Sequence, residues 1–342
     1  MAKTPAPQTP TVTLSELFVL CYADPDRASA YFQAEPGEKP FSIRYTIKPE
    51  LIHAASPAEI AQVNTQLAQG KVFWPITLAA ANALGQANRQ ADYRKIVAAD
   101  KNQPRWVAEG DSWFHFPLTE PDDIVEIMLK KRRAVYTIAG AGDEIRQMLN
   151  PAAYRSALRD TGAKVLIFSG GGNDMLGGDP DMLAKLLPAF KPGMKPEDAL
   201  TSKYTAQVQT AIGHYRSLFA DMKSRFPDVW LFCHGYDYAL PRKGGRYIYP
   251  AMTQKGFPDA GFMWSVVKLM VDRFNQVLAA ETAKAGARIR YVDLRNTVAK
   301  PNATYTEALA LWHDEIHPTT ASFSKLTAKL DKQIAAAITA GV

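Results

Sequence analysis

The sequence predicts an α/β protein in which a parallel sheet is covered by helices on both faces. From about residue 105 onward, short apolar runs alternate with longer segments of helical pattern. Each run is rich in Val, Ile, Phe, Tyr or Trp and is followed by glycine or a polar turn, which is typical of a buried strand. The helical segments carry apolar residues at i, i+3, i+4 and i+7. Strand–helix alternation of this kind favours a parallel sheet with both faces buried.

The positions of the elements follow from these patterns. The predicted strands are Arg105–Glu109, Ala134–Ile138, Lys164–Ser169, Val229–His234 and Arg288–Asp293. The long predicted helices are Thr205–Arg225, Trp264–Ala285 and Thr319–Ala340. Because ligands of such sheets bind at the carboxyl ends of the strands, functional residues are expected directly after each strand. Two segments that leave this edge, Gly177–Pro196 and Pro241–Gly261, are either walls of a substrate site or plain surface loops.

The region before residue 104 lacks this alternation and predicts a separate part of the molecule. Residues 1–12 are rich in Pro and Thr and predict a disordered tail. Residues 13–103 predict a mainly helical N-terminal extension, with helices at Ser56–Leu67 and Ile76–Lys95. Residues 104–342 then form the α/β domain.

Composition and charge argue against several classes of protein. The chain has 342 residues and a net charge of +6, from 40 basic and 34 acidic residues, which is a weak basis for nucleic-acid binding. Its apolar stretches fall short of the roughly 18 residues that span a bilayer, and the N-terminus lacks the apolar core of a secretory signal. We therefore expect a cytoplasmic protein without an integral membrane segment, with export by a route that cleaves no signal as the alternative. The two cysteines, Cys21 and Cys233, predict reduced thiols and no disulfide framework.

Two motifs at the start and the end of the α/β domain carry chemistry. The first predicted strand runs into Gly110-Asp111-Ser112, so Ser112 is expected where a strand turns into a helix. Its N–H would then lie at a helix N-terminus, where backbone donors and the helix dipole stabilise an oxyanion. Near the end of the chain Asp314 precedes His317 by three residues, so its carboxylate can reach the imidazole within one turn. Such a histidine can take the serine proton and later protonate a leaving alcohol.

Glycine-rich turns after the second and third predicted strands can supply oxyanion donors. The sequence AGAGD occupies residues 139–143, and SGGGND occupies residues 169–174. Glycine lets the backbone approach a ligand closely and donate its N–H. The Asn173 amide is an uncharged donor suited to a developing oxyanion. Four elements in this order, each just beyond a strand, are more specific than any one of them.

Together these motifs resemble the four sequence blocks of the SGNH hydrolases, the GDSL-like lipases and esterases named after their Ser, Gly, Asn and His. The blocks are GDS at 110–112, Gly142 in AGAGD, GGND at 171–174 and DEIH at 314–317, and the resemblance covers about residues 104–335. It implies a flavodoxin-like three-layer α/β/α sandwich and a serine esterase that works without a cofactor. The implied roles are Ser112 as nucleophile, His317 as general base, Asp314 as the residue that orients it, and Ser112, Gly142 and Asn173 as the oxyanion hole.

The sequence is also compatible with other functions. The first block continues Ser112-Trp113-Phe114 where the family more often has Leu or Ile, so the substrate is not fixed beyond a small-molecule or lipid ester. A lysophospholipase or phospholipase effector of the same fold is one alternative, and a catalytically silent binding module is another. The spacing of His313 and His317 also allows a zinc-dependent hydrolase, but the H-E-x-x-H order is absent and no metal is expected.

Substrate contacts are expected from the segment after the fourth predicted strand. Tyr236 and Tyr238 follow that strand directly and so face the site edge. Arg242, with Lys243 and Arg246, would favour an anionic group on the substrate. The oligomeric state is not determined by these patterns.

Overall fold

A computed structural model describes residues 9–14, 16–17, 20, 25–37, 43–68, 78–117, 120–177 and 180–340 of the chain. These residues belong to two compact units. The first unit comprises residues 1–38 and 42–80, and the second comprises residues 39–41 and 81–342.

The first unit combines helices with an antiparallel hairpin. Its elements are α1 (Pro25–Ser29), β1 (Phe32–Pro36), β2 (Ile43–Ile47), a 3₁₀ turn (Pro49–Leu51) and α2 (Pro57–Ala68). The hairpin pairs Phe32 with Ile47, and the Ile47 side chain lies in a small apolar core with Tyr31 and Ile60. The sequence analysis expected a mainly helical region and did not predict the hairpin. Residues 1–8 of the predicted tail lie outside the described residues, while Val12 forms a bridge to Ile52.

The second unit contains the predicted alternation of strands and helices. Its strands are β3 (Arg105–Gly110), β4 (Ala134–Thr137), β5 (Val165–Ser169), β6 (Trp230–His234) and β7 (Ile289–Val292). Its helices are α3 (Leu78–Ala99), most of which belongs to this unit, α4 (Ile124–Lys130), α5 (Ile145–Met148), α6 (Tyr154–Thr161), α7 (Pro180–Leu186), α8 (Ser202–Arg225), α9 (Tyr249–Gln254), α10 (Ala260–Lys284), α11 (Tyr305–Leu309) and α12 (Thr320–Thr339). A π-helical turn, Asn173–Gly177, and a 3₁₀ turn, Pro196–Ala199, lie between them.

The five strands form one parallel sheet in the order β4-β3-β5-β6-β7. Counted within the unit this is 2-1-3-4-5, the flavodoxin-like order, whose ligand-binding switch point lies between its first and third strands. Residues along β3, β5 and β6 are almost all buried, as expected for strands covered on both faces. Helix α4 packs against α12, and α8 packs against α10, which builds the outer layers. The predicted three-layer α/β/α class is therefore confirmed.

The register of the central strands places the turns that carry the sequence motifs side by side at the same edge of the sheet. Gly110 is paired with Ser169, and Ser169 is paired with His234. The residues that follow these three positions therefore leave the sheet side by side. They are the serine turn, the Gly-Asn turn and the segment that begins at Gly235.

The compact unit that contains the sheet begins at Ala81, before the boundary predicted at residue 104. Helix α3 supplies the physical reason, because its polar side chains bond to the loops around the sheet. The Gln90 side-chain amide donates to the Thr137 carbonyl at 2.9 Å, at the end of β4. A polar helix face is ordinarily solvated, so the sequence pattern does not indicate that this face bonds to the loops around the sheet.

Candidate active site

Ser112 lies in a single tight turn at the carboxyl end of β3 and is 2% exposed. The Asp111 carbonyl accepts from Phe114 N–H and His115 N–H, both at 3.0 Å, and the next helix begins only at Ile124. The expectation that Ser112 opens a helix is therefore wrong. Pro117 explains the difference, because the residue before a proline is disfavoured in the helical conformation and the helix stops after one turn.

The buried carboxylate of Asp111 holds the turn that carries Ser112 in place. It accepts from Trp113 N–H and the Ser169 hydroxyl, both at 3.0 Å, and from the Tyr236 hydroxyl. Burial raises the pKa of Asp111, although these donors oppose the shift. The turn that carries Ser112 is thus tied to β5 and to the segment after β6.

A continuous hydrogen-bonded chain joins Ser112 to the motif near the end of the sequence. The His317 Nε2 atom lies 2.7 Å from the Ser112 Oγ, and its Nδ1 atom lies 2.7 Å from the Asp314 Oδ2. The other Asp314 oxygen accepts from the N–H groups of Ile316, at 2.9 Å, and His317, at 2.8 Å. Burial would raise the pKa of Asp314, but His317 and these N–H groups outweigh it and hold the pKa below its usual value. The carboxylate therefore stays ionised and can fix the orientation of the imidazole.

Ser112, Gly142 and Asn173 offer the donors that the sequence analysis expected for an oxyanion. Gly142 has a φ of +83°, a left-handed conformation that favours glycine. In the described part of the chain, no protein group accepts from the N–H of Ser112 or of Gly142. The Asn173 Nδ2 donates to the Asp143 carbonyl at 2.9 Å, which uses one of its two protons and leaves the other for a ligand.

Helix α3 steadies the loop that contains Gly142 and the turn that carries Ser112. The Asn82 side chain accepts from Ala141 N–H at 3.1 Å and donates to the Ala141 carbonyl at 3.0 Å, next to Gly142. The Arg89 guanidinium donates to the Phe114 carbonyl at 2.8 Å and to the Asp123 carboxylate at 2.6 Å. The sequence analysis missed these supports because they lie in a helix that it assigned to the extension.

The Arg242 guanidinium is hydrogen-bonded to backbone carbonyls, whereas the sequence analysis expected it to contact a substrate. Its guanidinium donates to the carbonyls of Trp312, at 2.8 Å, and of His313 and Asp314, both at 3.1 Å. In return Glu315, which is fully buried, accepts from backbone N–H groups of the segment that follows Arg242. Those donors are Tyr247 at 2.6 Å, Ile248 at 3.1 Å and Tyr249 at 2.7 Å. We call this two-way set of bonds the Arg242–Glu315 clasp; it binds the segment after β6 to the loop that carries Asp314 and His317.

The two predicted tyrosine contacts lie in different places. Tyr236 lines a cleft beside Ser112 and Asn173. Tyr238 donates its hydroxyl to Asp272 at 2.9 Å and lines a separate cleft with Trp264. Only Tyr236 of this pair therefore adjoins the serine.

The histidine pair does not form the arrangement that zinc would need. Both ring nitrogens of His317 are engaged, one with Ser112 and one with Asp314. The His313 ring packs edge-on against Phe116, with the ring centres 5.7 Å apart. Among the described residues, no group of three or more His, Cys, Asp or Glu side chains could hold a metal ion.

Trp113 connects the two halves of the site. Its indole N–H donates to the Ile316 carbonyl at 2.9 Å, across 203 positions of sequence. Its ring packs edge-on against Tyr236 and Phe323. The sequence analysis noted Trp113 only as a departure from the commonest first block, because a partner so distant in sequence leaves no local pattern.

The four sequence blocks thus meet at one edge of a flavodoxin-like sheet, near its switch point. The chain thus has the flavodoxin-like α/β/α fold that the sequence resemblance to the SGNH hydrolases implies. In the described residues, none of the helices of this fold or of the first unit combines the length and the apolar composition that a membrane crossing needs.

Comparisons with known proteins found similar solved structures but no similar sequence family. No protein-family model and no curated protein matches the sequence. A phospholipase A1 from Streptomyces albidoflavus NA297 matches with 17% identity and a TM-score of 0.45, over 67% of this chain and 99% of its own. An extracellular lipase from Streptomyces rimosus matches with 15% identity and a TM-score of 0.44, over 67% and 99%. The periplasmic domain of a lipopolysaccharide acetyltransferase from Salmonella ser. Paratyphi A matches with 10% identity and a TM-score of 0.41, over 73% and 99%.

Proposed function

We propose that the protein is a serine esterase that hydrolyses carboxylic esters, of small molecules or of lipids, through an acyl-enzyme on Ser112. The observation that carries the proposal is the chain from Ser112 through His317 to Asp314, in which both hydrogen bonds are 2.7 Å long. A serine hydroxyl is a weak nucleophile unless an adjacent base takes its proton, and a third group must orient that base. Ser112 and His317 are buried and Asp314 is partly buried, and the three side chains lie together at the carboxyl edge of the sheet.

The first half of the reaction forms the acyl-enzyme. The Ser112 Oγ attacks the ester carbonyl carbon while His317 Nε2 takes its proton. The ionised Asp314 stabilises the imidazolium that results. The tetrahedral oxyanion would accept from the N–H groups of Ser112 and Gly142 and from the second amide proton of Asn173. When the intermediate collapses, His317 returns the proton to the departing alcohol oxygen.

The second half repeats these steps with water. A water molecule gives a proton to His317 and attacks the acyl carbonyl, and the same donors hold the second oxyanion. Collapse then releases the carboxylic acid and returns the proton to Ser112. The proposal requires no metal ion in either half.

The test is covalent labelling with a fluorophosphonate, with and without a chelator. We expect one label per chain on Ser112 by mass spectrometry, at a rate that the chelator does not change. Ser112→Ala should not label and should lose nearly all esterase activity while staying folded, because only the residual effect of the oxyanion donors would remain. A Ser112→Ala protein that keeps most of its rate on several esters overturns the proposal. Loss of activity with chelator, restored by zinc, would favour the metal-dependent alternative.

A further inference from the structure

A narrow cleft opens beside the nucleophile, and we call it the Ser112 cleft. Its walls include Ser112, Trp113, Asn173, Leu176, Tyr236 and Ile316. None of these six residues is more than 9% exposed. The surface that the cleft offers to a ligand is therefore small and mostly apolar.

The position of the cleft indicates which part of an ester it would hold. The leaving alcohol must lie near His317 Nε2, because that nitrogen protonates it. His317 is not among the residues that line the cleft, whereas Ser112 and Asn173 both are. We propose that the Ser112 cleft binds the acyl group and that it admits only short, unsubstituted aliphatic acyl chains. This inference rests on the proposed function.

The size of the cleft sets the limit on chain length. Its cavity volume is about 30 Å³, whereas pockets that enclose a whole drug-sized ligand measure roughly 300–1,000 Å³. A cleft of this size suits a short acyl group, such as acetyl or propionyl, better than a long chain. A longer chain must either push the walls apart or lie in solvent, where it gains nothing from burial.

The walls are held so that they do not yield easily. Trp113 is fixed by its bond to the Ile316 carbonyl at 2.9 Å, and Tyr236 is fixed by its bond to Asp111. On the side of the Gly-Asn turn, a Cβ added to Gly172 would lie only 3.0 Å from the Tyr236 ring. Trp113, which stands where the family more often has Leu or Ile, is thus one of the fixed walls of the cleft.

Two carboxylates that also line the cleft, those of Asp111 and Asp237, already accept several hydrogen bonds. Asp237 accepts from the N–H groups of Asn296, Thr297 and Val298 at 2.7–2.9 Å. Asp111 accepts from three donors of its own turn and of its neighbours. Because both carboxylates are already hydrogen-bonded, a hydroxyl or an amine on the acyl chain would gain little from them. This favours an unsubstituted chain.

The experiment is an acyl-length series on the full chain. Using 4-nitrophenyl acetate, butyrate, hexanoate and octanoate, we expect kcat/KM to fall by at least tenfold from acetate to hexanoate, since one methylene in a tight apolar pocket is worth roughly 10- to 200-fold. With the acyl group kept as acetyl, lengthening the alcohol should change kcat/KM by much less. A rate that rises with acyl length, or that depends more on the alcohol, overturns the inference.

Variants of the walls make the test specific. Leu176→Ala should raise the butyrate-to-acetate ratio of kcat/KM about tenfold or more. Leu186→Ala is the matched control, because it removes the same atoms from a buried residue of α7 that does not line the cleft. Should Leu176→Ala not fold, Ile316→Val provides a smaller enlargement with a smaller expected rise. Equal ratios in the cleft variants and in the control overturn the inference.

Failure of this inference and failure of the proposed function look different. If the protein is not a serine esterase, no ester of any length is cleaved in a Ser112-dependent way and no fluorophosphonate label forms. If it is an esterase without this selectivity, labelling is normal and the length series is flat or inverted.

Discussion

Replacing Arg242 with Met should disable the site without touching any reacting atom. The change keeps the length and most of the apolar stem of the side chain but removes its donors to three consecutive carbonyls of the loop, at 2.8–3.1 Å. Each bond from a charged donor contributes roughly 1.5–3 kcal/mol. Because Arg242 is only partly buried, water can replace some of these bonds. We therefore expect a loss of about 2–3 kcal/mol in the free energy of unfolding.

The larger effect should be on reactivity. The released carbonyls belong to the loop that holds Asp314 and His317, and a displacement of about 1 Å in a catalytic group can cost about 10²-fold in rate. The assay is the second-order rate constant for fluorophosphonate labelling of Ser112, followed by intact mass, with Tm measured in parallel. We expect labelling of the folded protein to slow by about 10- to 100-fold.

Lys243→Met is the matched control, since it removes a cation from an exposed neighbour on the same segment. It should label and unfold as the wild type does. If Arg242→Met lowers Tm but labels at the wild-type rate, the Arg242–Glu315 clasp stabilises the fold without positioning the site, and the reasoning is refuted. Because the guanidinium is bonded to carbonyls, the variant should also slow neutral and anionic esters equally, in contrast to the sequence expectation of an anion-binding Arg242.

Three further outcomes are expected. Asn173→Ala should lower kcat by roughly 10²–10³ with little change in KM, because the amide is matched to the oxyanion; a change in KM alone would make it an ordinary substrate contact. Asp314→Ala should retain more activity than His317→Ala, because Asp314 orients the base and does not transfer the proton; the reverse order in kcat would exchange their roles. Burial raises the pKa of Asp174 to about 7, so the native state keeps a proton that the unfolded chain releases near pH 4. The stability that this proton contributes is fully present below pH 4 and is lost as the pH rises to 7. In denaturant unfolding, Asp174→Asn should therefore match the stability of the wild type at pH 4 and exceed it at pH 8 by up to about 4 kcal/mol. If the variant and the wild type were equally stable at both pH values, the pKa of Asp174 would not be raised.

Much of the sheet could be predicted because its strands have strong local signatures. The run at Val165–Phe168 is continuously apolar and is followed by Ser169 and three glycines, so the sequence predicts both the strand and its end. The position of Asn173 just after it followed from the same pattern. The hairpin of the first unit was not predicted, because Phe32–Pro36 and Ile43–Ile47 are short and carry Gln, Glu, Arg and Pro among their apolar residues.

The sequence by itself determined which residues are candidates for the chemistry, since strand ends, glycine turns and the spacing of Asp314 and His317 are local properties. Only the tertiary structure decided how these residues are supported. The bond from Trp113 to the Ile316 carbonyl, the use of α3 as a brace and the commitment of Arg242 to loop carbonyls all join parts far apart in the chain. The sequence does not indicate whether a polar side chain bonds to water or to a buried carbonyl. Its partner is determined only when strand order and register bring the two segments together.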